Sequence, residues 1–146
     1  MDKNIAAEGP NRYICYKLSR VMRKVQRYYE AGLTNFEITP VQFYVLSNLL
    51  GNDGAKFKDL AKSIGIDGST LTGILDRMER GGFVERRDDP EDRRSLLVFL
   101  TEKSKEIGPD MINLAAKLDC DIREQFDEAD FATFVKVLDQ LGETME

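Results

Sequence analysis

The feature that most constrains the fold is a change in hydrophobic period within residues 56–100. Up to residue 80, apolar side chains recur every three or four positions, which places them on one face of an α-helix. Gly65 interrupts this spacing, so the pattern predicts two short helices, over residues 57–64 and 70–80, joined by a tight turn. After Gly81-Gly82 the helical spacing ends, and two short runs that are candidates for strands follow. The segment is therefore expected to fold as two helices followed by a β-hairpin.

The hairpin is predicted from two short apolar runs and the polar stretch between them. Residues 83–87 and 95–100 have the length of strands. Residues 88–94 contain only Pro90 and charged side chains, so they are expected to project into solvent as a tip. Two helices, a short turn and such a hairpin make a winged helix-turn-helix with a two-stranded wing.

Longer helices flank this segment, and the fold class is expected to be mainly α. They are predicted over residues 12–31, over residues 41–50 after the start signal Thr39-Pro40, from Glu102 onward, and after Asp127 or Asp130. Gly32 is expected to cap the first of them, and Gly108-Pro109 to kink the third. Residues 1–146 are expected to form a single domain, whose first ten residues are a loosely held arm.

The second helix of the pair has the face that points to a function. Because its apolar residues pack inward, its outer face keeps small hydroxyls, a glycine, an acid and one long cation. These residues are Ser69, Thr70, Thr72, Gly73, Asp76 and Arg77. Such a face suits the major groove of DNA, about 12 Å wide, because short side chains let the helix backbone approach the base edges. The alternative is a helical hairpin whose polar face is only solvated.

Net charge neither supports nor excludes DNA binding. The chain carries −5 overall, but residues 12–30 have six basic side chains against one acid, and residues 102–146 have five against twelve. Residues 56–94 have nine of each sign, which still allows the basic ones to share one face.

Catalysis is not expected from this composition. The chain has no histidine, the commonest general base and zinc ligand, and its two cysteines cannot complete a zinc site without carboxylates. The sequence has no glycine-rich phosphate loop, so we expect neither a cofactor nor a metal. No apolar run approaches the ~20 residues that span a bilayer, so a cytoplasmic protein without membrane contact is expected.

The region of the wing resembles the MarR family of transcription regulators. Members share a wing of the form Asp-x-Arg before a strand that ends in Leu-Thr, and here Asp92-Arg93-Arg94 precedes a strand that ends in Leu100-Thr101. The segments Leu60-Ala61, Ser69-Thr70-Leu71-Thr72 and Asp76-Arg77-Met78-Glu79 are similar to the family's helix-turn-helix. The resemblance covers nearly the whole chain.

The resemblance implies a homodimer that binds double-stranded DNA at a pseudo-palindromic operator, with recognition helices about 34 Å apart. Residues 36–100 would form the DNA-binding lobe, and residues 11–32 and 102–146 the dimerisation helices. Arg93 and Arg94 would bind DNA, Arg94 in the minor groove, while Asp92 would hold the wing arginines by ion pairing. Arg86 and Arg87 would contact the DNA backbone. The alternative for Asp92 and Arg94 is an ordinary surface ion pair, which contributes little.

Regulators that resemble this chain respond to small aromatic acids or to oxidants. For a repressor released by an aromatic or phenolic ligand, we expect a pocket between the dimer helices and the DNA-binding lobe. Its walls and its cation would come from Tyr13, Tyr16, Arg20, Tyr29 and Phe43, with Tyr28 and Phe36 beside them. The alternative is that these aromatic residues belong to the core. The signal would act by changing the separation of the two recognition helices.

An oxidant would act on a cysteine. Cys15 resembles the reactive thiol of the family's organic-hydroperoxide-sensing branch, and Cys120 its resolving thiol. That branch has a tyrosine in the segment that reads here as residues 39–43, where none is present. Peroxide sensing needs an accessible thiol of lowered pKa, and the alternative is that both cysteines are small buried hydrophobes.

A third interpretation is a winged-helix protein-interaction module without DNA binding. The acids of the wing favour it, because a phosphate backbone repels them. These acids are Asp88, Asp89, Glu91 and Asp92.

Overall fold

A computed structural model of the chain describes residues 9–145, so residues 1–8 of the predicted N-terminal arm lie outside the described residues. The described part forms six α-helices and three short strands. The helices are α1 (Ile14–Leu33), α2 (Pro40–Gly51), α3 (Phe57–Ile64), α4 (Gly68–Arg80), α5 (Glu102–Arg123) and α6 (Glu128–Thr144). The strands are β1 (Ala55–Lys56), β2 (Val84–Asp88) and β3 (Leu96–Leu100). The mainly α fold with a hairpin after a helix pair is the predicted one.

The sheet has three strands and not the two that the sequence predicts. β2 and β3 form the expected antiparallel hairpin, in which Arg86 lies opposite Val98. β1 pairs antiparallel with the other edge of β3, which gives the strand order β1-β3-β2. Because β1 is only two residues long, an alternating pattern has no room to appear in it. Its pairing ties the start of α3 to the wing.

The core lies between α2, α4 and the sheet. Its buried side chains include Leu33 from α1, Val45, Leu46 and Leu49 from α2, Leu71, Ile74, Leu75 and Met78 from α4, and Val84, Val98 and Leu100 from the sheet. Full burial of an aliphatic side chain of this size contributes about 1.5–3 kcal/mol. The four buried residues of α4 therefore hold one face of that helix firmly inward and leave the opposite face outward.

The helix starts follow local signals in the sequence. Thr39 and Gln42 form a reciprocal capping box at α2, with bonds of 3.1 and 3.3 Å. Asp67 caps α4, because its Oδ1 accepts the backbone N–H of Thr70 at 2.7 Å. This bond lowers the pKa of Asp67 from its ordinary value. The turn before α4 depends on Gly65, whose φ of 80° is left-handed, and α4 begins two residues earlier than the sequence predicts.

Two glycines serve close packing and not the roles that the sequence predicts. Gly32 does not cap α1, which continues beyond it, and a Cβ added there would lie 2.9 Å from Cδ1 of Leu118. Glycine therefore lets α1 and α5 approach each other. Gly108 faces Leu50, whose Cδ2 would lie 2.9 Å from an added Cβ. The predicted kink at this glycine and Pro109 does not interrupt α5.

The outer helices α1 and α6 keep large apolar side chains in solvent. α6 has no buried residue among its 17, and α1 buries only Leu33. The exposed large apolar residues are Ile14, Tyr16, Leu18, Val21, Met22 and Tyr28 in α1 and Phe134, Val137 and Leu138 in α6. No helix among the described residues is long and apolar enough to cross a membrane. A single copy of the chain leaves both apolar faces uncovered.

Candidate nucleic-acid interface

The outer face of α4 is open to solvent. Its residues, which we call the α4 polar face, are Ser69, Thr70, Thr72, Gly73, Asp76 and Arg77. All are exposed except Gly73 and Asp76, which are partly exposed. A Cβ added at Gly73 would meet nothing within 4 Å, so nothing in the chain covers the middle of this face. The structure thus places the six predicted residues together on one helix surface.

Two hydroxyl groups of this face, those of Ser69 and Thr72, already donate hydrogen bonds within the chain. Ser69 Oγ donates to Oδ1 of Asp67 at 2.8 Å, and Thr72 Oγ1 donates to the carbonyl oxygen of Gly68 at 2.9 Å. Their oxygen lone pairs remain available to accept from a partner. In the major groove the matching donors are the exocyclic amino groups of adenine and cytosine.

Arg86 has a different partner from the one that the sequence predicts. Its Nη2 lies 2.7 Å from Oδ1 of Asp76 and 2.6 Å from Oε2 of Glu79, and its Nε donates to the same Glu79 oxygen at 2.8 Å. The hydrogen bond to Glu79 is the main cause that raises the pKa of Arg86 above its ordinary value. Arg86 therefore joins β2 to α4 and is not the free cation that a contact to the DNA backbone needs. Asp76, expected on a free face, is held from one side by the same bridge.

The turn of the wing is built by carboxylates that accept backbone N–H groups. Oδ1 of Asp89 accepts from Glu91 at 2.9 Å, and Oδ1 of Asp92 accepts from the backbone of Arg94 at 2.9 Å. Within residues 9–145 no ion pair joins Asp92 to Arg93 or Arg94, so the predicted ion pairing of the wing arginines is corrected. Asp92 shapes the turn, and both arginine side chains are exposed at its tip.

Arg87, the other predicted contact to the DNA backbone, lies on the outer side of the wing. Its Nη2 is 2.8 Å from Oε2 of Glu85, and its guanidinium lies 4.4 Å from the ring centre of Phe99. More than half of the side chain of each partner in this pair is exposed, at 59% and 53%. An exposed pair of this kind holds its partners weakly.

The residues predicted to line a ligand pocket do not come together in the single chain. Tyr13, Tyr16 and Arg20 are exposed along the N-terminal part of the chain, while Tyr29 and Phe43 pack against the core. A cleft of about 340 Å³ lies instead between α1, the start of α2 and α4. It is lined by Gln26, Glu30, Thr39, Pro40, Val41, Gln42, Ile74 and Arg77. The cleft lies where a pocket is predicted, but its walls are polar and aliphatic and not aromatic.

The two cysteines are exposed, so the alternative in which both are buried is wrong for the single chain. The thiol of Cys120 donates to Oε1 of Glu124 at 3.3 Å. This hydrogen bond is the largest of several causes, all from nearby carboxylates or burial, that raise the pKa of Cys120. A raised pKa favours the thiol, whereas a resolving cysteine attacks as the thiolate. This arrangement is unfavourable for the resolving role that the resemblance implies.

Comparison with known proteins agrees with the geometry. A model of the MarR family matches residues 38–96, from the approach to α2 to the start of β3. The HTH-type transcriptional regulator MgrA of Staphylococcus aureus is 29% identical over 106 residues, which cover 72% of each chain. A MarR transcriptional regulator from Methanosarcina mazei Go1 has a similar solved structure, with a TM-score of 0.79 and 28% identity over 91% of this chain and 98% of that one.

A further structural relative is the transcriptional repressor CouR, solved bound to a 23-mer DNA duplex. It has a TM-score of 0.83 at 24% identity, covering 97% of this chain and 98% of that one, and this likeness concerns the fold. The relatives are transcription regulators and not enzymes, as the composition led us to expect. The matched segment contains the α4 polar face, β2 and the tip of the wing. Residues 38–96 thus match the MarR family of transcription regulators, and the likeness to a solved MarR regulator extends over 91% of this chain.

Proposed function

We propose that this regulator is a homodimeric repressor that binds a pseudo-palindromic operator, with α4 in the major groove and the wing tip in the minor groove. The observation that carries the proposal is the α4 polar face, which is uncovered and anchored from behind by four buried residues. A rigid helix with short outward side chains brings its backbone close to base edges. Arg77 is its long cation, suited to a phosphate or to a guanine.

The wing supports the proposal through its exposed arginines. Arg93 and Arg94 lie at the tip of a turn that Asp89 and Asp92 stabilise through their backbone bonds. A guanidinium is attracted into a narrow minor groove by the enhanced negative potential there, without needing bases of one identity. Two of the four acids of the wing, Asp89 and Asp92, thus have a structural use, which weakens the interpretation of this chain as a protein-binding module.

The uncovered helices α1 and α6 support the homodimer. Six large apolar residues in α1 and three in α6 are exposed, and a second copy of the chain offers the same faces in return. Their charges are also complementary, since residues 12–30 carry five more basic than acidic groups and residues 102–146 seven more acidic than basic. In such a dimer the two copies of α4 would lie in successive major grooves, about 34 Å apart.

Selection of bound sequences from a random duplex pool tests this proposal. We expect recovered sites with two inverted half-sites, spaced by one helical turn, and affinity that falls steeply with added salt. Arg94→Ala should weaken binding to the recovered site by about tenfold, within the ~1–3 kcal/mol typical of a groove contact. Recovery of no enriched sequence, or affinity that salt leaves unchanged, would favour the protein-binding alternative.

We propose that a small phenolic acid acts on the repressor through the cleft between α1, α2 and α4. Arg77 supplies a cation for a carboxylate, and Glu30 an acceptor for a phenol hydroxyl, on two walls of the same cleft. A ligand that pairs with Arg77 withdraws this residue from DNA, which is the physical basis for release. The check is titration of the operator complex with hydroxybenzoates, in which Glu30→Ala should weaken release by the ligand and leave DNA affinity unchanged. Equal release from both proteins would place the ligand elsewhere.

A thiol-based response is the second candidate. The exposed position of Cys15 favours it, whereas the pairing of Cys120 with Glu124 does not. Cumene hydroperoxide should therefore leave operator affinity unchanged in the wild type. A loss of affinity that Cys15→Ser abolishes would establish peroxide sensing in its place.

A further inference from the structure

Arg86 makes a bridge between the wing and the recognition helix. The guanidinium reaches two carboxylates, those of Asp76 and Glu79, through three contacts between 2.6 and 2.8 Å. The two acids are three residues apart on α4, so they lie on one side of the helix and would repel each other without a shared cation. Only 23% of the Arg86 side chain is exposed. Geometry and partial burial distinguish this bridge from the neighbouring exposed pair of Arg87 and Glu85.

The place of Arg86 in the sheet lets this bridge connect α4 to the strand that leads to the wing tip. Arg86 is the middle residue of β2 and lies opposite Val98, which is fully buried in the core. Beyond it, Arg87 and Asp88 are exposed and lead directly to the turn that ends in Arg94. Among residues 9–145, Arg86 is the residue of β2 whose side chain forms ion pairs with α4. It is therefore the residue of β2 through which ion pairs connect the recognition helix to the strand that leads to the tip.

We propose that Arg86 is a positioning residue that sets the wing against α4, so that the tip and the α4 polar face reach adjacent grooves of one duplex. The proposal rests on the DNA-binding function proposed above. A guanidinium suits this role because its planar fork binds two carboxylates in one fixed orientation, which an ammonium does not. Arg86 itself contacts no DNA in this account; it acts on the binding of Arg94.

A second effect of the bridge must be separated from positioning. Arg86 also offsets the negative charge of Asp76 and Glu79 beside the DNA, and loss of that charge alone would weaken binding. The double variant Asp76→Asn/Glu79→Gln in the Arg86→Gln background removes the acids together with the arginine. It therefore removes the negative charge that Arg86→Gln leaves uncompensated, without restoring the bridge.

The test is a double-mutant cycle between Arg86 and Arg94, two residues that do not touch. Operator affinity is measured for the wild type, Arg86→Gln, Arg94→Ala and the double variant, with thermal unfolding and stoichiometric titration to count folded, active protein. In the wild type, Arg94→Ala is expected to lower operator affinity by about tenfold. In the Arg86→Gln background it should lower operator affinity by less than about twofold, so the two residues are coupled by a factor of at least about five. If Arg86→Gln only damaged the fold, it would lower the fraction of active protein. Arg94→Ala would then still lower the operator affinity of the active fraction by about tenfold.

Two further backgrounds complete the cycle. The neutralised triple variant should still show a small Arg94→Ala effect; a full tenfold effect there would mean that charge alone explains the bridge and would overturn the proposal. Arg87→Gln is the matched control on the same strand. In the Arg87→Gln background, Arg94→Ala should still lower operator affinity by about tenfold. Additive losses for Arg86 and Arg94 would refute positioning while leaving the DNA-binding function intact. Failure of the wild type to bind any duplex would instead refute that function.

Discussion

The proposed dimer interface can be tested by truncating one side chain of α6. Phe134 is 49% exposed in the single chain, although it packs on Phe131 with ring centres 5.6 Å apart. Full burial of a phenylalanine contributes about 1.5–3 kcal/mol, so burial of the remaining half in a dimer contributes about 1 kcal/mol per copy. A symmetric dimer buries the side chain twice. Phe134→Ala should therefore cost about 2 kcal/mol of dimerisation free energy, or about thirtyfold in the dimer dissociation constant.

Sedimentation velocity over a dilution series measures that constant directly. Gln140→Ala is the matched control, because Gln140 lies with Thr133, Lys136 and Glu143 on the polar side of the same helix. In an operator titration, Phe134→Ala should bind weakly below its dimer dissociation constant and normally above it, which separates dimerisation from DNA contact. Wild-type dimerisation of Phe134→Ala, or a monomer that binds the operator at full affinity, would refute this interface.

Three further outcomes follow from single residues. The pKa of Asp67 is lowered on folding, so its cap stabilises the protein fully above the ordinary carboxyl pKa of about 4. The stability difference between wild type and Asp67→Asn should shrink below that pH in urea titrations. Glu124→Gln should speed alkylation of Cys120 at neutral pH, followed by mass spectrometry, because the carboxylate raises the thiol pKa. Gly32→Ala should lower the melting temperature, because overpacking against Leu118 costs about 1–3 kcal/mol and exceeds a helix-propensity gain of about 1 kcal/mol. Gly142→Ala is the control and should not lower the melting temperature, because a Cβ added there meets nothing within 4 Å.

Much of the fold could be predicted because its signals are local. The capping box of Thr39 and Gln42, the turn at Gly65 and the cap at Asp67 each depend on residues within a few positions. The α4 polar face was predictable for the same reason, since the buried and open sides of a helix follow from its period. Gly32 shows the limit: glycine after a helical run resembles a cap, and only the packing of α5 reveals the close approach.

The contacts that the sequence did not predict join distant or differently folded segments. The bridge from Arg86 to Asp76 crosses a glycine pair and a change from helix to strand, so no helical or strand period connects its members. The like charges of Asp76 and Glu79 on one side of α4 were the available signal that a cation must lie between them. The cleft is similar, because Glu30 and Arg77 meet only after α1 and α4 have packed.

In our proposal, Arg77 links the binding of a ligand directly to the binding of DNA. The same side chain belongs to the α4 polar face and to the wall of the cleft, so in our proposal a ligand carboxylate and a DNA phosphate compete for one guanidinium. From the sequence alone we expected release of the operator to require a change in the separation of the two recognition helices. Competition for Arg77 needs no such change. Competition is also reciprocal: if the ligand weakens operator binding by a given factor, the operator weakens ligand binding by the same factor. In this proposal the repressor responds through the binding partner of one residue, Arg77, and the bridge from Arg86 to Asp76 and Glu79 would hold the wing in place while that partner changes.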